Sequence, residues 1–277
     1  MLSRPLLGLL LVAVALPACA PSPPVAGELP QAALSAAIAS PARTPANLAR
    51  DPYRHPVETL SFFGVKPSDT VVELWPGGGW YTEILAPYLA TGGGRLYAAA
   101  PAWGMDGIAK LKAANPPLYG SVLTAVFPVF DAADTPVPAA TADVVLTFRN
   151  VHNWRMGYRR DDTQDYSAEA FRQIYAMLKP GGILGIVDHR LPENASDERE
   201  RTSGYIKVST VRRLAEAAGF RLLASSEINA NPNDSSDWPD GVWTLPPSLR
   251  LKDKDREKYI AIGESDRMTL KFEKPKR

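Results

Sequence analysis

The sequence predicts an α/β fold, a doubly wound and mainly parallel sheet of seven strands. Three observations carry that expectation. Strand-like and helix-like stretches alternate along the chain from about residue 56 onward. The strand-like stretches are short, continuous apolar runs, as parallel strands covered on both faces must be. Between them lie apolar residues at helical spacing, and the first strand runs into a glycine-dense turn that opens a helix. In doubly wound sheets ligands are held at that carboxyl edge.

Pro56, with Glu58 in its first turn, starts a short helix that Gly64 closes. Residues 70–74 form strand 1, and Tyr81, Ile84, Leu85 and Tyr88 form the stripe of the next helix, which Pro87 is expected to kink or shorten. Residues 94–99 read as strand 2, 104–114 as a helix, and 124–129 as strand 3, with Pro128 ending it early. Strand 4 covers residues 143–148. The helix marked by Phe171, Ile174, Tyr175 and Leu178 stops at Lys179-Pro180-Gly181-Gly182, and strand 5 occupies 183–187. Val211, Leu214, Ala215 and Ala218 make one further stripe, capped by Gly219, before strand 6 at 220–224 and a last strand at 267–272. The Asn-, Asp- and Pro-rich segment 229–249 interrupts the final strand pair and is expected to form a lid.

The first 19 residues stand outside this pattern. Arg4 supplies a positive start, Leu6 to Leu16 an apolar run too short for a stable membrane span, and Leu16-Pro17-Ala18-Cys19 resembles a lipobox. Cleavage after Ala20 would leave Pro21 beside the cut, which disfavours an ordinary signal peptide. Residues 1–19 are thus expected to be a lipoprotein-type signal whose Cys19, the only cysteine, carries the lipid. Residues 20–47, with prolines at 21, 23, 24, 30, 41 and 45, read as an Ala/Pro-rich tether containing at most a short, poorly packed helix. One domain, 48–277, follows. These features place the chain at the cell envelope, periplasm-facing, with Ala20 after the cysteine pointing to the outer membrane.

With 31 basic and 30 acidic residues and no basic stripe interleaved with aromatics, the chain is not expected to bind nucleic acid. It has no Gly-x-Ser-x-Gly elbow, and its one cysteine lies in the signal, so a hydrolase would lack its nucleophile.

Chemistry concentrates at Glu73-Leu74-Trp75-Pro76-Gly77-Gly78-Gly79-Trp80-Tyr81-Thr82. Glycines let backbone N–H groups approach a ligand, and the helix that follows adds its unpaired donors. No Lys-Ser/Thr pair follows, which excludes a Walker loop, and no third glycine stands at the helix start, which excludes the dinucleotide fingerprint. The remaining pattern, acid-x-(G)-x-G-x-G, resembles motif I of class I S-adenosylmethionine (SAM)-dependent methyltransferases, with Trp75 where most members have the first glycine. With Arg54-His55-Pro56 and Phe63-Gly64 before it and Thr82 to Pro87 after it, the chain is similar to a bacterial family of predicted exported methyltransferases over roughly residues 45–190.

That resemblance implies the Rossmann-like sheet already read from the pattern, SAM as cofactor, and Glu73, Trp75, Gly77, Gly78 and Gly79 as its binding loop. Asp131, after strand 3, matches the acid that meets the adenine amine. Ala100 stands where the ribose-binding acid is usual, with Asp106 a candidate substitute. The acceptor is expected at the ends of strands 4 and 5, where Asn150, His152, Asp188 and His189 converge. His152 could act as general base oriented by Asp188, or Asp188 and His189 could bind the acceptor; the alternative is that His152 hydrogen-bonds loop backbone and His189 packs at the sheet edge. Arg149 could meet an acidic substrate or brace Asp131 or Glu73. Trp75, Trp80 and Trp154 could wall a sulfonium or merely pack. A metal held by His152, Asp188 and His189 is the less favoured reading, since no carboxylate pair accompanies them. The leading expectation is methyl transfer to a small or envelope-associated acceptor; the rival is a lipid-anchored binding or assembly protein that keeps the fold without catalysis.

Overall fold

The computed structural model describes residues 28–158 and 163–276, with side chains from residue 31. The proposed signal, Cys19 and residues 20–27 lie outside the described residues. Helices of five or more residues are α1 (Glu28–Ile38), α2 (Pro56–Phe63), α3 (Thr82–Ala90), α4 (Asp106–Ala114), α5 (Val151–Arg155), α6 (Ser167–Met177), α7 (Asp197–Thr202), α8 (Val208–Ala217) and α9 (Arg256–Ile262). Strands are β1 (Thr70–Leu74), β2 (Arg95–Ala99), β3 (Leu123–Ala125), β4 (Ala142–Phe148), β5 (Leu178–Leu191), β6 (Ile206–Lys207), β7 (Arg221–Ser226) and β8 (Arg267–Glu273).

The sheet order is β3-β2-β1-β4-β5-β8-β7, with the two-residue β6 pairing the end of β5. β1 to β5 run parallel, and only β8 runs against its neighbours. The order reverses at β1, so β1 and β4 diverge to opposite sides and open a crevice at their carboxyl ends. This is the doubly wound sheet the pattern predicts.

One face is covered by α6 and α8, whose Phe171, Ile174, Val211 and Ala215 are buried with Val145, Ile186 and Leu270. The other lies under α1 to α4, where Leu60, Phe63, Ile84, Leu85 and Ile108 meet Val71, Ala98 and Leu146. Each fully buried side chain of this size contributes roughly 1.5–3 kcal/mol. Pro87 sits inside α3 near its end, and the helix stops three residues later.

Three stretches depart from the sequence reading. Strand 3 ends at Ala125 rather than 129, because Val126 N–H turns away to the Thr135 carbonyl. The Lys179–Gly182 stop belongs to β5 instead: four residues bulge between the Ala142–Leu178 and Val144–Ile183 pairs, with Gly181 at φ 81° donating to the Lys274 carbonyl. The third is the tether, which from Glu28 is the docked helix α1. Leu34 and Ala37 are buried against α2 and α3, and the buried Arg43 holds Asp51 through two bonds of 2.7 and 2.8 Å. Alanine-rich composition conceals this because small residues allow close helix approach without a strong apolar stripe.

Candidate active site

Glu73, the penultimate residue of β1, is buried and accepts a 2.5 Å hydrogen bond from Thr82 Oγ1 in the first turn of α3. Burial pushes its carboxyl up to about 7, and the Thr82 bond offsets this only in part. After it the chain turns at Trp75 (φ 50°), Gly77 (φ 58°) and Gly79 (φ 83°). Left-handed backbone suits the glycines and is an outlier for tryptophan, where it costs roughly 1–2 kcal/mol.

The three glycines do different things. A Cβ at Gly77 or Gly78 would meet nothing within 4 Å, and both line a cavity of about 310 Å³ at the carboxyl ends of β1, β4 and β5. Gly79 does not line it. A Cβ there would press on the flexible end of Leu111 at 2.3 Å, and the φ of 83° is what calls for glycine. Gly107 on α4 is small because its Cβ would fall 2.1 Å from the Gly77 carbonyl oxygen.

The acceptor-side residues are brought together as the sequence suggests. Asn150, His152 and His189 line the same cavity as Gly77 and Gly78, and Asp188 is fully buried behind them. Asp188 accepts from His152 Nδ1 at 2.7 Å, from the His152 backbone at 3.2 Å and from the His189 backbone at 2.8 Å. An ionised carboxylate only accepts, so the His152 proton resides on Nδ1 and Nε2 is left as an acceptor. His189 Nδ1 lies 2.5 Å from Ser265 Oγ, and the two imidazole centroids are 5.0 Å apart. Burial, followed by the neighbouring His152, Arg149, Arg267 and Arg54, holds His189 well below the usual histidine range, so its ring is neutral. Asn150 donates to the Leu74 carbonyl (3.0 Å) and Thr147 Oγ1 (3.1 Å), tying β1 to β4 and leaving its own carbonyl oxygen uncommitted by either bond.

Four arginines, Arg54 and Arg267 buried and Arg50 and Arg149 half-buried, stand around one carboxylate beside this pocket, which the sequence reading missed. Glu264, ahead of β8, is reached by Arg50 (2.6 Å), Arg54 (3.4 Å) and Arg267 (3.1 Å). Burial alone would raise it, yet Arg54, Arg267, Arg149 and Arg50 together bring it down to about 2. Arg50 and Arg54 arrive from a short turn before α2, Arg149 from the end of β4, and all three line the cavity. Arg54 also lies over the Trp80 ring at 4.6 Å, with Arg43 5.1 Å from it, and Trp80 Nε1 donates to the Asn47 carbonyl. Trp80 is thereby packing between guanidinium groups. His152, Asp188 and His189 do offer donor atoms within 4.8 Å of one another, but cations on this scale disfavour a metal ion there.

The segment expected to form a lid lies over the cavity, tied to its neighbours by hydrogen bonds. Asp234 accepts from Tyr205 Oη, Trp238 Nε1 and the Ser236 and Asp266 backbones, and Val242, Trp243, Pro246 and Pro247 close the outer wall of the cavity.

Trp75 lines the cavity edge but turns its indole across the ends of β2 and β3. Its Nε1 donates to the Phe127 carbonyl at 2.9 Å, and its ring meets Trp103, Trp154 and Tyr158 at centroid separations of 5.1, 6.1 and 6.5 Å. Trp154 is itself fully buried in the core. Asp131 is exposed, away from the cavity, and accepts from its own turn at Ala133, because β3 ends early and carries the following loop outward. Asp106 is exposed in the first turn of α4, also away from the lining. Arg149 pairs with neither Asp131 nor Glu73.

The doubly wound sheet, with its crevice and glycine turn, is of the class I methyltransferase type. Residues 72–186, from β1 into β5, match the family model of a methyltransferase domain, and the cofactor that goes with such a domain is SAM. Among solved structures it is similar to a SAM-dependent methyltransferase from Aquifex aeolicus (16% identity, TM-score 0.52, covering 82% of this chain and 93% of that one). It is likewise similar to Haemonchus contortus phosphoethanolamine N-methyltransferase 2 in complex with SAM (16% identity, TM-score 0.50, covering 81% and 53%). At such identity the likeness shows the fold. No curated protein matches the sequence.

Against this cofactor the two sides of the pocket differ. Gly77 and Gly78, bare toward the cavity, fit the amino-acid half. Toward the nucleoside half, Ala100 offers no carboxylate, Asp106 and Asp131 lie outside the cavity lining, and the Trp75 indole crosses toward Phe127.

Proposed function

We propose that the chain is a SAM-dependent methyltransferase acting on a small or envelope-associated acceptor. The observation that carries this reading is His152, held from behind by Asp188, lining the same cavity as Gly77 and Gly78. SAM, when bound, supplies an electrophilic methyl group. The protein's task is to align the acceptor and take its proton: Asp188 fixes the imidazole through Nδ1, Nε2 of His152 receives the proton, and Asn150 offers a carbonyl oxygen to an acceptor N–H or O–H. The capped wall at Trp243 and Pro246 limits water entry. Calorimetry with S-adenosylhomocysteine tests the reading, with binding at or below millimolar concentration expected. Absence of binding would refute it and leave the second reading, a lipid-anchored binding or assembly protein without catalysis, which the position of the Trp75 indole favours.

Envelope anchorage belongs to the same proposal and rests on the lipobox-like Leu16 to Cys19. Among the described residues no helix is long and apolar enough to cross a membrane. Cys19→Ala is expected to abolish fatty-acid labelling and release the protein from membranes; unchanged labelling would count against lipidation.

A further inference from the structure

The cavity carries more positive charge than its own acids balance. Arg54 is 2% exposed, yet its Nη2 finds no hydrogen-bond partner, and its one ion pair, to Glu264, is long at 3.4 Å. Arg149 forms no side-chain hydrogen bond or ion pair among the described residues. It is held there by a left-handed backbone (φ 64°) whose N–H donates to the Val187 carbonyl at 2.7 Å. Glu264, the one carboxylate in the group, is already shared by Arg50 and Arg267. Asp188 is committed to His152 and to two backbone groups, and Glu73, which also lines the cavity, is bonded to Thr82 and pairs with neither arginine.

A buried guanidinium with unsatisfied donors is costly, and two guanidinium groups lining one cavity repel each other. The cost shows in both groups: burial first, then Arg149, keeps Arg54 well below the usual arginine range, and burial brings Arg149 down to about 10. Both remain charged at neutral pH. A planar fork of N–H donors with no acceptor of its own matches a carboxylate or phosphate oxygen pair.

We propose that Arg54 and Arg149 form an anion-binding subsite of this cavity, and that the acceptor carries a carboxylate or phosphate group held there while its reacting atom faces His152. The acceptor assignment rests on the methyltransferase reading; the subsite does not. The carboxylate of the cofactor's own amino-acid half has the same chemistry, so the test must separate the two sources.

Thermal unfolding of the full chain would be followed with inorganic phosphate or acetate against sodium chloride at equal ionic strength, for wild type, Arg149→Gln and Arg54→Gln. A ligand that binds only the folded state raises Tm with concentration. Wild type is expected to be stabilised by phosphate or acetate beyond chloride. Arg149→Gln, which removes no described ion pair, should weaken that response at least tenfold in apparent affinity while Tm without ligand stays close to wild type. Equal responses to chloride and to the oxyanions, or an undiminished response in both variants, would overturn the subsite. Repeating the titration with saturating S-adenosylhomocysteine separates the sources: retained phosphate affinity supports the acceptor's anion, whereas complete displacement would overturn that assignment. Phosphate binding without any S-adenosylhomocysteine binding would sink the methyltransferase reading and the acceptor assignment together, and leave the anion site standing.

Discussion

Glu73→Gln isolates one buried titration from all others. In the folded chain the Glu73 carboxyl is brought from its ordinary 4.5 to about 7 by burial. Between these values the native state binds more protons than the unfolded chain, so the stability this group contributes is whole below about pH 4.5 and is lost as pH rises through about 7. At about 1.4 kcal/mol per pH unit the interval is equivalent to roughly 3 kcal/mol. The amide of glutamine matches the protonated acid in shape and can keep the Thr82 hydrogen bond. Urea unfolding of wild type and variant from pH 4.5 to 8.5 should therefore show nearly equal stabilities at the acid end and the variant ahead by up to about 3 kcal/mol at the alkaline end. Other ionisable groups are common to both proteins and cancel in the difference. A difference constant across the range would refute the buried, proton-sharing state of Glu73.

Trp75→Gly relieves the left-handed tryptophan and removes the indole that separates the glycine turn from the ends of β2 and β3, so S-adenosylhomocysteine affinity by calorimetry should rise; a fall would show the indole to be a wall of the nucleoside site. His152→Ala should lower methyl transfer by about 10²–10⁴-fold with cofactor affinity unchanged, while loss confined to Tm would assign the ring a structural role. Gly79→Val should destabilise through Leu111 and the positive φ, whereas Gly78→Val should preserve Tm and weaken cofactor binding, both read by unfolding and calorimetry on the same samples.

Much of the sheet was legible because it is written in local periods: the apolar runs at 70–74 and 143–148 and the stripe through Phe171 and Ile174 each repeat within a few residues. The convergence of Asn150, His152, Asp188 and His189 was legible too, since parallel strands deliver their following residues to one edge. Asp131 was misplaced because its assignment assumed that β3 continues to residue 129. The direction of the Trp75 indole depends on a backbone angle that the neighbouring glycines do not fix. Least legible was the arginine group, assembled from residues before α2, after β4 and ahead of β8; the Arg54–Glu264 contact spans 210 positions. A lone charged residue in a loop gives no sign of a partner so distant. Its one trace in the sequence was Arg149, flanked by an apolar strand and the Asn150 turn.

The docking of α1 shortens the leash. If Cys19 carries the lipid, only eight residues lie between it and Glu28, the first residue of the packed helix. A chain of that length spans at most about 30 Å when fully drawn out, which is comparable to the thickness of a bilayer's hydrocarbon core. The globule would then be confined to a shallow zone next to the lipid surface, unable to patrol the compartment. Its encounters would be restricted to molecules that diffuse into that zone or reside in the membrane itself.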